Sequence, residues 1–297
     1  MTVLQRIQLA LLTGAAALLS LSGFTGLRIL GNGLGRLMWL ALPSRRRLAT
    51  HNIAVHLHLS GEDAEKMAKE SFRHNARSFL EILLTRRFGM NSPRLRIADP
   101  ETFEKLLQCK RPIVAVTAHL GAWELLAAML GELYEAPRPR VVVVRRYKNP
   151  VVQTFISSRR EARGATMAGH RTVAATVLRA LRKNGIVAFL VDHNALRSEA
   201  LFMPFLGEEA AINMGPALLS LRAEALVMPV YLLREGNNYV AHFRPPLDTA
   251  TLEGDRESKV AAITRFYTDE VEKAIAKAPE QWFWMHNRWK QHSRPTA

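Results

Sequence analysis

The sequence predicts an α/β fold: a mixed, mostly parallel sheet covered by helices, preceded by an N-terminal membrane-associated helical segment. Short runs rich in valine and isoleucine occupy residues 113–118, 141–144, 186–191 and 226–233. They are apolar throughout instead of alternating, which is the pattern of strands covered on both faces. The first three are separated by helix-like stretches long enough to serve as crossovers between parallel strands. Ahead of them, the first 61 residues carry six arginines (Arg6, Arg28, Arg36, Arg45, Arg46, Arg47) on an apolar background, with no acidic residue.

A chain of 297 residues, 48% hydrophobic and 23% charged, can bury a full core, and this composition argues against disorder. No repeat period is evident. Residues 1–47 read as the membrane-associated segment and residues 48–297 as one main domain. A single cysteine, Cys109, cannot form an internal disulfide, which fits a reducing compartment. It sits in a polar stretch with no histidine among its immediate neighbours to act as its base, so no nucleophilic role is expected of it. The net charge of +15 attracts polyanions. Arginines that flank apolar sequence suit an anionic membrane surface better than the aromatic-studded groove of a nucleic-acid binder. No nucleic-acid partner is expected.

From the N-terminus, residues 7–27 are 21 consecutive uncharged residues, about the length of a bilayer-crossing helix. Gly14, Gly23 and Gly26 dilute the signal, so a span and a shallow insertion both fit, and a secretory signal shares the charged start and apolar run. Residues 29–42 stay apolar and close on Pro43, Ser44 and Arg45 to Arg47, as a retained anchor with a cytoplasmic basic flank would; a buried helical hairpin fits as well. The glycine cluster at 31–35 lacks both the spacing and the preceding strand of a dinucleotide fingerprint. Ser60-Gly61-Glu62-Asp63 has the form of a capping box, opening a helix to about residue 88 with Met67, Phe72, Ala76, Phe79 and Leu83 as its apolar stripe.

The chemistry centres on residues 113–126, which read as a buried strand, a break at His119 to Gly121, and a helix. His119 then stands at the carboxyl end of a strand, the edge of an α/β sheet where ligands bind. On one helix His119 and Glu124 would lie about 140° apart, so they meet only if His119 precedes the helix and folds back over its first turn. A carboxylate facing the imidazole would raise its basicity for proton removal from an alcohol. His58 and Asp63 share that spacing, but Asp63 is accounted for by the helix cap and no strand leads into His58. Read locally, His119 is equally a core histidine, and Glu124 equally an acid complementing a helix dipole.

Val116-Thr-Ala-His119-Leu-Gly-Ala-Trp-Glu124 resembles the His-xxxx-Glu block of the bacterial lipid A late acyltransferases, members of the lysophospholipid acyltransferase superfamily. Further stretches match in the family's order. Arg145-Arg-Tyr-Lys-Asn149-Pro150 is similar to its Arg-xxx-Asn-Pro block. Residues 185–192 ending in Asp192, then Pro204-Phe-Leu-Gly207 and Gly215-Pro216-Ala, resemble its central blocks, and residues 279–290 its C-terminal signature. Residues 45–52 are similar to its basic segment after the membrane-associated helix. The resemblance covers nearly the whole chain. It departs where His193 follows Asp192 in place of glutamine, and where Leu206 replaces the second phenylalanine of Phe-Phe-Gly.

The resemblance implies a glycerolipid-acyltransferase-like fold and direct acyl transfer from a thioester, with acyl carrier protein or acyl-CoA as donor and a lipid as acceptor, at the cytoplasmic face of the inner membrane. It implies no cofactor, metal or acyl-enzyme. His119 and Glu124 are the expected catalytic pair, and Arg145 a stabiliser of an oxyanion or acceptor phosphate. Asn149, Asp192, Gly207 and Gly215 are the expected substrate-binding residues. Bland accounts stand beside these: a solvated strand-end cation for Arg145, a helix N-cap for Asp192, and proline at a helix start for Gly215-Pro216. A glycerolipid acyltransferase, or a membrane-tethered binding protein that has lost catalysis, is the alternative function. Trp282, Trp284 and Trp289 beside Arg288 and Lys290 fit a membrane-interface belt or core packing. His51, His56 and His58 lack the acidic or thiolate companion of a metal site.

Overall fold

The computed structural model describes residues 1–134, 138–145, 147–169 and 173–290. The first helix, α1 (Val3–Leu21), is opened by a capping box in which the Thr2 hydroxyl accepts from the Gln5 amide and the Gln5 side chain accepts from the Thr2 amide. It is long and apolar enough to cross a membrane and is almost entirely unburied. Leu4, Leu11, Leu18 and Leu21 all stand exposed.

The second helix, α2 (Gly23–Ala41), behaves differently. It lies along α4 (Gly61–Glu81) after a short α3 (Pro43–His56), and Gly31 and Gly35 set its backbone against that of Arg77 and Arg73. Leu27 and Trp39 are buried on this side, Trp39 meeting Phe72 edge-on at 5.2 Å. On its other side Ile29, Leu37 and Leu40 face outward. Of the two apolar helices, α2 is the more deeply packed, whereas α1 touches the domain through Leu9, Ala16 and Ser20 and leaves most of its surface outward.

The α4 N-terminus follows the sequence expectation: the Ser60 hydroxyl accepts from the Asp63 amide at 3.2 Å. The helix stops at Glu81 and tightens into a 3-10 turn over Ile82–Leu84, short of residue 88. Phe79 departs from the expected buried stripe and is 44% exposed.

The main sheet runs in the order β1 (Leu95–Ile97), β9 (Asn238–Phe243), β8 (Leu226–Glu235), β2 (Ile113–Thr117), β5 (Ile186–Leu190), β3 (Arg140–Val144), β4 (Thr166–Gly169), with β10 (Leu247–Asp248) paired to β8. Strands β8, β2, β5, β3 and β4 are mutually parallel, and only β9, β1 and β10 run the other way. The four strands expected from the sequence are all present, to within two residues at their ends.

Alternation along the central strands explains why their sequences are apolar throughout. In β2, Ile113 and Ala115 join one core with Leu125, Leu126 and Met129 of α6 (Trp123–Glu132). Val114 and Val116 join the other, with Phe72 of α4 and Ile263 and Tyr267 of α10 (Arg256–Lys277). Every side chain of the strand therefore leaves water, whichever face it takes. The remaining helices, α5 (Pro100–Gln108), α7 (Pro150–Arg160), α8 (Val173–Leu181) and α9 (Gly215–Arg222), complete the layers, and β6 (Ala200–Phe205) with β7 (Glu208–Asn213) forms a separate hairpin.

Candidate active site

Strand β2 delivers His119 to the carboxyl edge of the sheet, and the turn after it is held from three directions. Gly121 takes the left-handed φ of 63°. A Cβ there would stand 2.2 Å from the Leu232 carbonyl oxygen, so only glycine fits. The Gly121 amide donates to the Gln281 carbonyl at 3.2 Å and the Ala122 amide to the Leu232 carbonyl at 2.7 Å. The Gly121 carbonyl accepts from the Ser78 hydroxyl at 2.8 Å.

The register between β2 and β5 brings in the second residue. Thr117 pairs with Leu190 in parallel, so Asp192, two residues beyond Leu190, arrives beside His119, two residues beyond Thr117. One Asp192 oxygen accepts from the His119 Nδ1 at 2.9 Å, and the other from the His119 amide and the Trp282 indole N–H, both at 2.9 Å. Burial alone would push this carboxyl up, yet the imidazole's charge and these donors hold it well below the usual carboxylate range.

Because a carboxylate only accepts, this contact fixes the proton on Nδ1 and leaves the Nε2 lone pair available. Nε2 has no partner among the described residues, and the imidazole is 33% exposed. Burial disfavours the imidazolium, but the Asp192 charge and hydrogen bond outweigh it, with a smaller contribution from Glu124 against the opposing charge of Arg160, so the pKa is raised. The result is a histidine of enhanced basicity with one nitrogen anchored and the other open.

Glu124 is not the carboxylate that faces the imidazole, and the expected His119–Glu124 pairing is corrected accordingly. It lies in the first turn of α6, buried, and forms a two-point ion pair with Arg160 at 2.8 and 2.5 Å. The last residue of α7 thus captures the acid before it can reach the ring. Its influence on His119 is through charge.

Asn149 caps α7, its side chain accepting from the Val151 and Val152 amides ahead of Pro150 at the first helical position. Gly207 takes φ 83° beside Leu206 at 50°, which builds the β6–β7 turn. Gly215 is the first residue of α9, its amide donating to the Asn213 side chain at 2.8 Å. Arg145 is exposed just past β3 and has no hydrogen-bond or ion-pair partner among the described residues; its neighbour Arg146 lies outside them. Asp192 caps no helix. The membrane-belt reading of the tryptophans is corrected too: Trp282, Trp284 and Trp289 are buried in the core, their indole N–H groups donating to Asp192, Pro279 and Phe205.

An apolar wall stands beside the imidazole. Trp123 lies edge-on to the His119 ring at 5.5 Å and Phe283 lies tilted to it at 6.1 Å, while the half-exposed Phe79 meets Trp123 and Phe283 edge-on. This explains the departure of Phe79 from the buried stripe of α4. The arrangement can hold hydrocarbon close to the imidazole and thin out water there. Sequence reasoning missed Arg160 and the Trp282 contact; Arg160 carried no signal, whereas Trp282 stood in the C-terminal motif.

Fold and site together describe an α/β enzyme with a histidine–carboxylate pair at the carboxyl edge of a mostly parallel sheet. The chain belongs to the bacterial lipid A biosynthesis acyltransferase family, whose model matches residues 1–291. It is 27% identical over 273 residues to the lipid A biosynthesis lauroyltransferase of Escherichia coli (strain K12), covering 88% of this chain and 84% of that protein. To the palmitoleoyltransferase of the same organism it is 25% identical over 275 residues, covering 90% and 85%. It is also 25% identical over 205 residues to the phosphatidylinositol mannoside acyltransferase of Mycolicibacterium smegmatis (strain ATCC 700084 / mc(2)155), covering 68% of this chain and 64% of that protein. The chain is an acyltransferase acting on envelope lipids.

Proposed function

We propose that the enzyme moves a fatty acyl group from an acyl thioester to a hydroxyl of a glycolipid acceptor, in the synthesis of lipid A or a related envelope lipid. The observation that carries this reading is the open Nε2 of an imidazole whose Nδ1 is bound to Asp192. Nε2 takes the proton as the acceptor oxygen attacks the thioester carbonyl carbon. Collapse of the tetrahedral intermediate breaks the C–S bond, and the imidazolium returns the proton to the departing thiolate. The ester forms in one passage, without an acyl-enzyme. Asp192 is the positioning carboxylate, and Glu124 with Arg160 supports the first turn of α6 behind the base.

Arg145, unpaired among the described residues at a strand end, is the cation to meet an acceptor phosphate or the oxyanion. Asn149, Gly207 and Gly215 serve by shaping backbone around the substrate surface. The donor is an acyl carrier protein or coenzyme A thioester; both are acidic and suit a chain of charge +15. Residues 1–47 hold the enzyme at the cytoplasmic face of the inner membrane, and residues 48–297 carry the chemistry. Likeness to a phosphatidylinositol mannoside acyltransferase favours glycolipids more broadly as acceptors.

The test is mass spectrometry of lipids from cells with and without the gene, paired with purified enzyme given each donor and a lipid A precursor. An acyl increment of one fatty acid on a glycolipid, present only with the gene, is the expected result. Thioester hydrolysis without any acylated lipid would sink the reading.

A further inference from the structure

A second cleft, lined by none of the residues that touch His119, lies between α2, α4 and the turn joining β8 to β9. Its walls carry Arg28, Arg77, Arg234 and His74, with Glu280 and the exposed Ile29 at its margins. It continues into a smaller recess that adds Arg94 and Glu81, so four arginines stand against two carboxylates. Glu81 is fully engaged: it forms an ion pair with Arg234, itself 8% exposed, and accepts from the Tyr239 hydroxyl at 2.9 Å.

Several of these donors are unspent. The Arg77 Nε donates to Asn32 at 2.7 Å, and Arg28 donates through one terminal nitrogen to the Asn237 side chain. The other guanidinium nitrogens of both have no partner among the described residues. The Arg234 Nη1 and the His74 Nδ1 are buried without one, an arrangement that costs free energy unless something answers it. Burial, followed by the charges of Arg234, Arg77 and Arg73, pushes the His74 pKa down to about 2, so the ring stays neutral in a region of concentrated positive potential. Arg28 and Arg77 project the N–H groups that an anion would meet, and Arg234 behind them adds to the field.

We propose that this cleft binds the phosphate of an anionic lipid, at a site separate from the one where acyl transfer occurs. Phosphate is the anion that guanidinium pairs grip at two points. The lipid is indicated by position: Ile29, 63% exposed, lines the cleft and belongs to the outward apolar side of α2. This part rests on the membrane-bound reading of α1 and α2. Arg234 also donates to Ser78 at 2.6 Å, and Ser78 donates to the Gly121 carbonyl, so an occupied cleft is joined to the His119 turn by two hydrogen bonds.

The test uses full-length protein in neutral detergent and isothermal titration with three probes: dihexanoyl phosphatidic acid, inorganic phosphate and dihexanoylglycerol. None needs a bilayer or acyl transfer, so failure here is distinguishable from failure of the anchor or of the catalytic reading. Phosphatidic acid should bind at least about tenfold tighter than either half of its structure. Arg28→Gln and Arg77→Gln should each weaken it about tenfold, while Arg28→Lys should recover part of the loss. Arg28 is only half-buried, so its variants leave the core intact. Unchanged affinity in both glutamine variants would overturn the site, and inorganic phosphate binding as tightly as phosphatidic acid would overturn the assignment to a lipid.

Discussion

His119 and Asp192 are joined twice, once through the backbone amide and once through the imidazole Nδ1, so the carboxylate fixes both where the residue sits and how its ring is turned. His119→Ala should lower turnover by about 10² to 10⁴-fold with the fold intact. Asp192→Asn should cost a comparable factor, because an amide cannot hold the same tautomer and charge. Turnover assays beside circular dichroism of both variants check this, and near-normal turnover in folded His119→Ala would end the mechanism.

The pH profile follows from the raised His119 pKa. The base works only when neutral, and a raised pKa keeps the imidazole protonated to higher pH. The acid limb of kcat/KM should therefore fall above the ordinary histidine value of about 6.5. In Asp192→Asn the supporting charge is gone, so whatever activity remains should titrate at lower pH. An unshifted midpoint would detach Asp192 from the base.

Glu124→Gln leaves Arg160, with a side chain only 13% exposed, without its counter-ion. Loss of one partner from a buried pair costs about 3 to 5 kcal/mol. Urea denaturation should show that loss, and Glu124→Gln combined with Arg160→Gln should be more stable than Glu124→Gln alone. If the double variant is as unstable as the sum of the two singles, the pair is not coupled.

Deleting residues 1–21 removes the exposed α1 and spares α2, which carries buried Leu27 and Trp39. Full-length protein should stay in the membrane fraction through a high-salt wash, since hydrocarbon contact is not screened. The truncated protein should move to the supernatant still folded. Recovery of full-length protein in the soluble fraction without detergent would refute the anchor.

Gly35→Ala should lower stability by about 1 to 3 kcal/mol, because the new Cβ would stand 2.5 Å from the Arg73 Cα. Gly33→Ala on the same helix meets nothing within 4 Å and should be neutral or slightly stabilising. Thermal melts of the two variants give the comparison directly.

The strands were legible because both of their faces are buried, which writes an uninterrupted apolar run into the sequence. The start of α4 was legible because Ser60 acts within three residues of its target. The pairing of His119 with Asp192 was not, since it depends on β2 and β5 being neighbours in the sheet, and strand order leaves no mark on a linear pattern. Glu124 was close enough in sequence to be chosen and close enough in space to influence the ring, yet Arg160, 36 residues further on, holds its carboxylate. The tryptophans were ambiguous for a different reason: an aromatic beside an arginine reads alike at a membrane surface and over a buried guanidinium such as Arg288, which lies 5.1 Å from the Phe205 ring.

The two glycines of α2 have a mechanical consequence. With Gly31 and Gly35 pressed on Arg77 and Arg73, a slide of α2 by one turn would drive Leu27 or Trp39 into gaps cut for a hydrogen atom. The helix has one notch in which to rest, so α2 and α4 move together as a rigid strut. The altitude of the His119 imidazole above whatever plane the outward leucines of α2 rest in is thus set by two side chains that are missing.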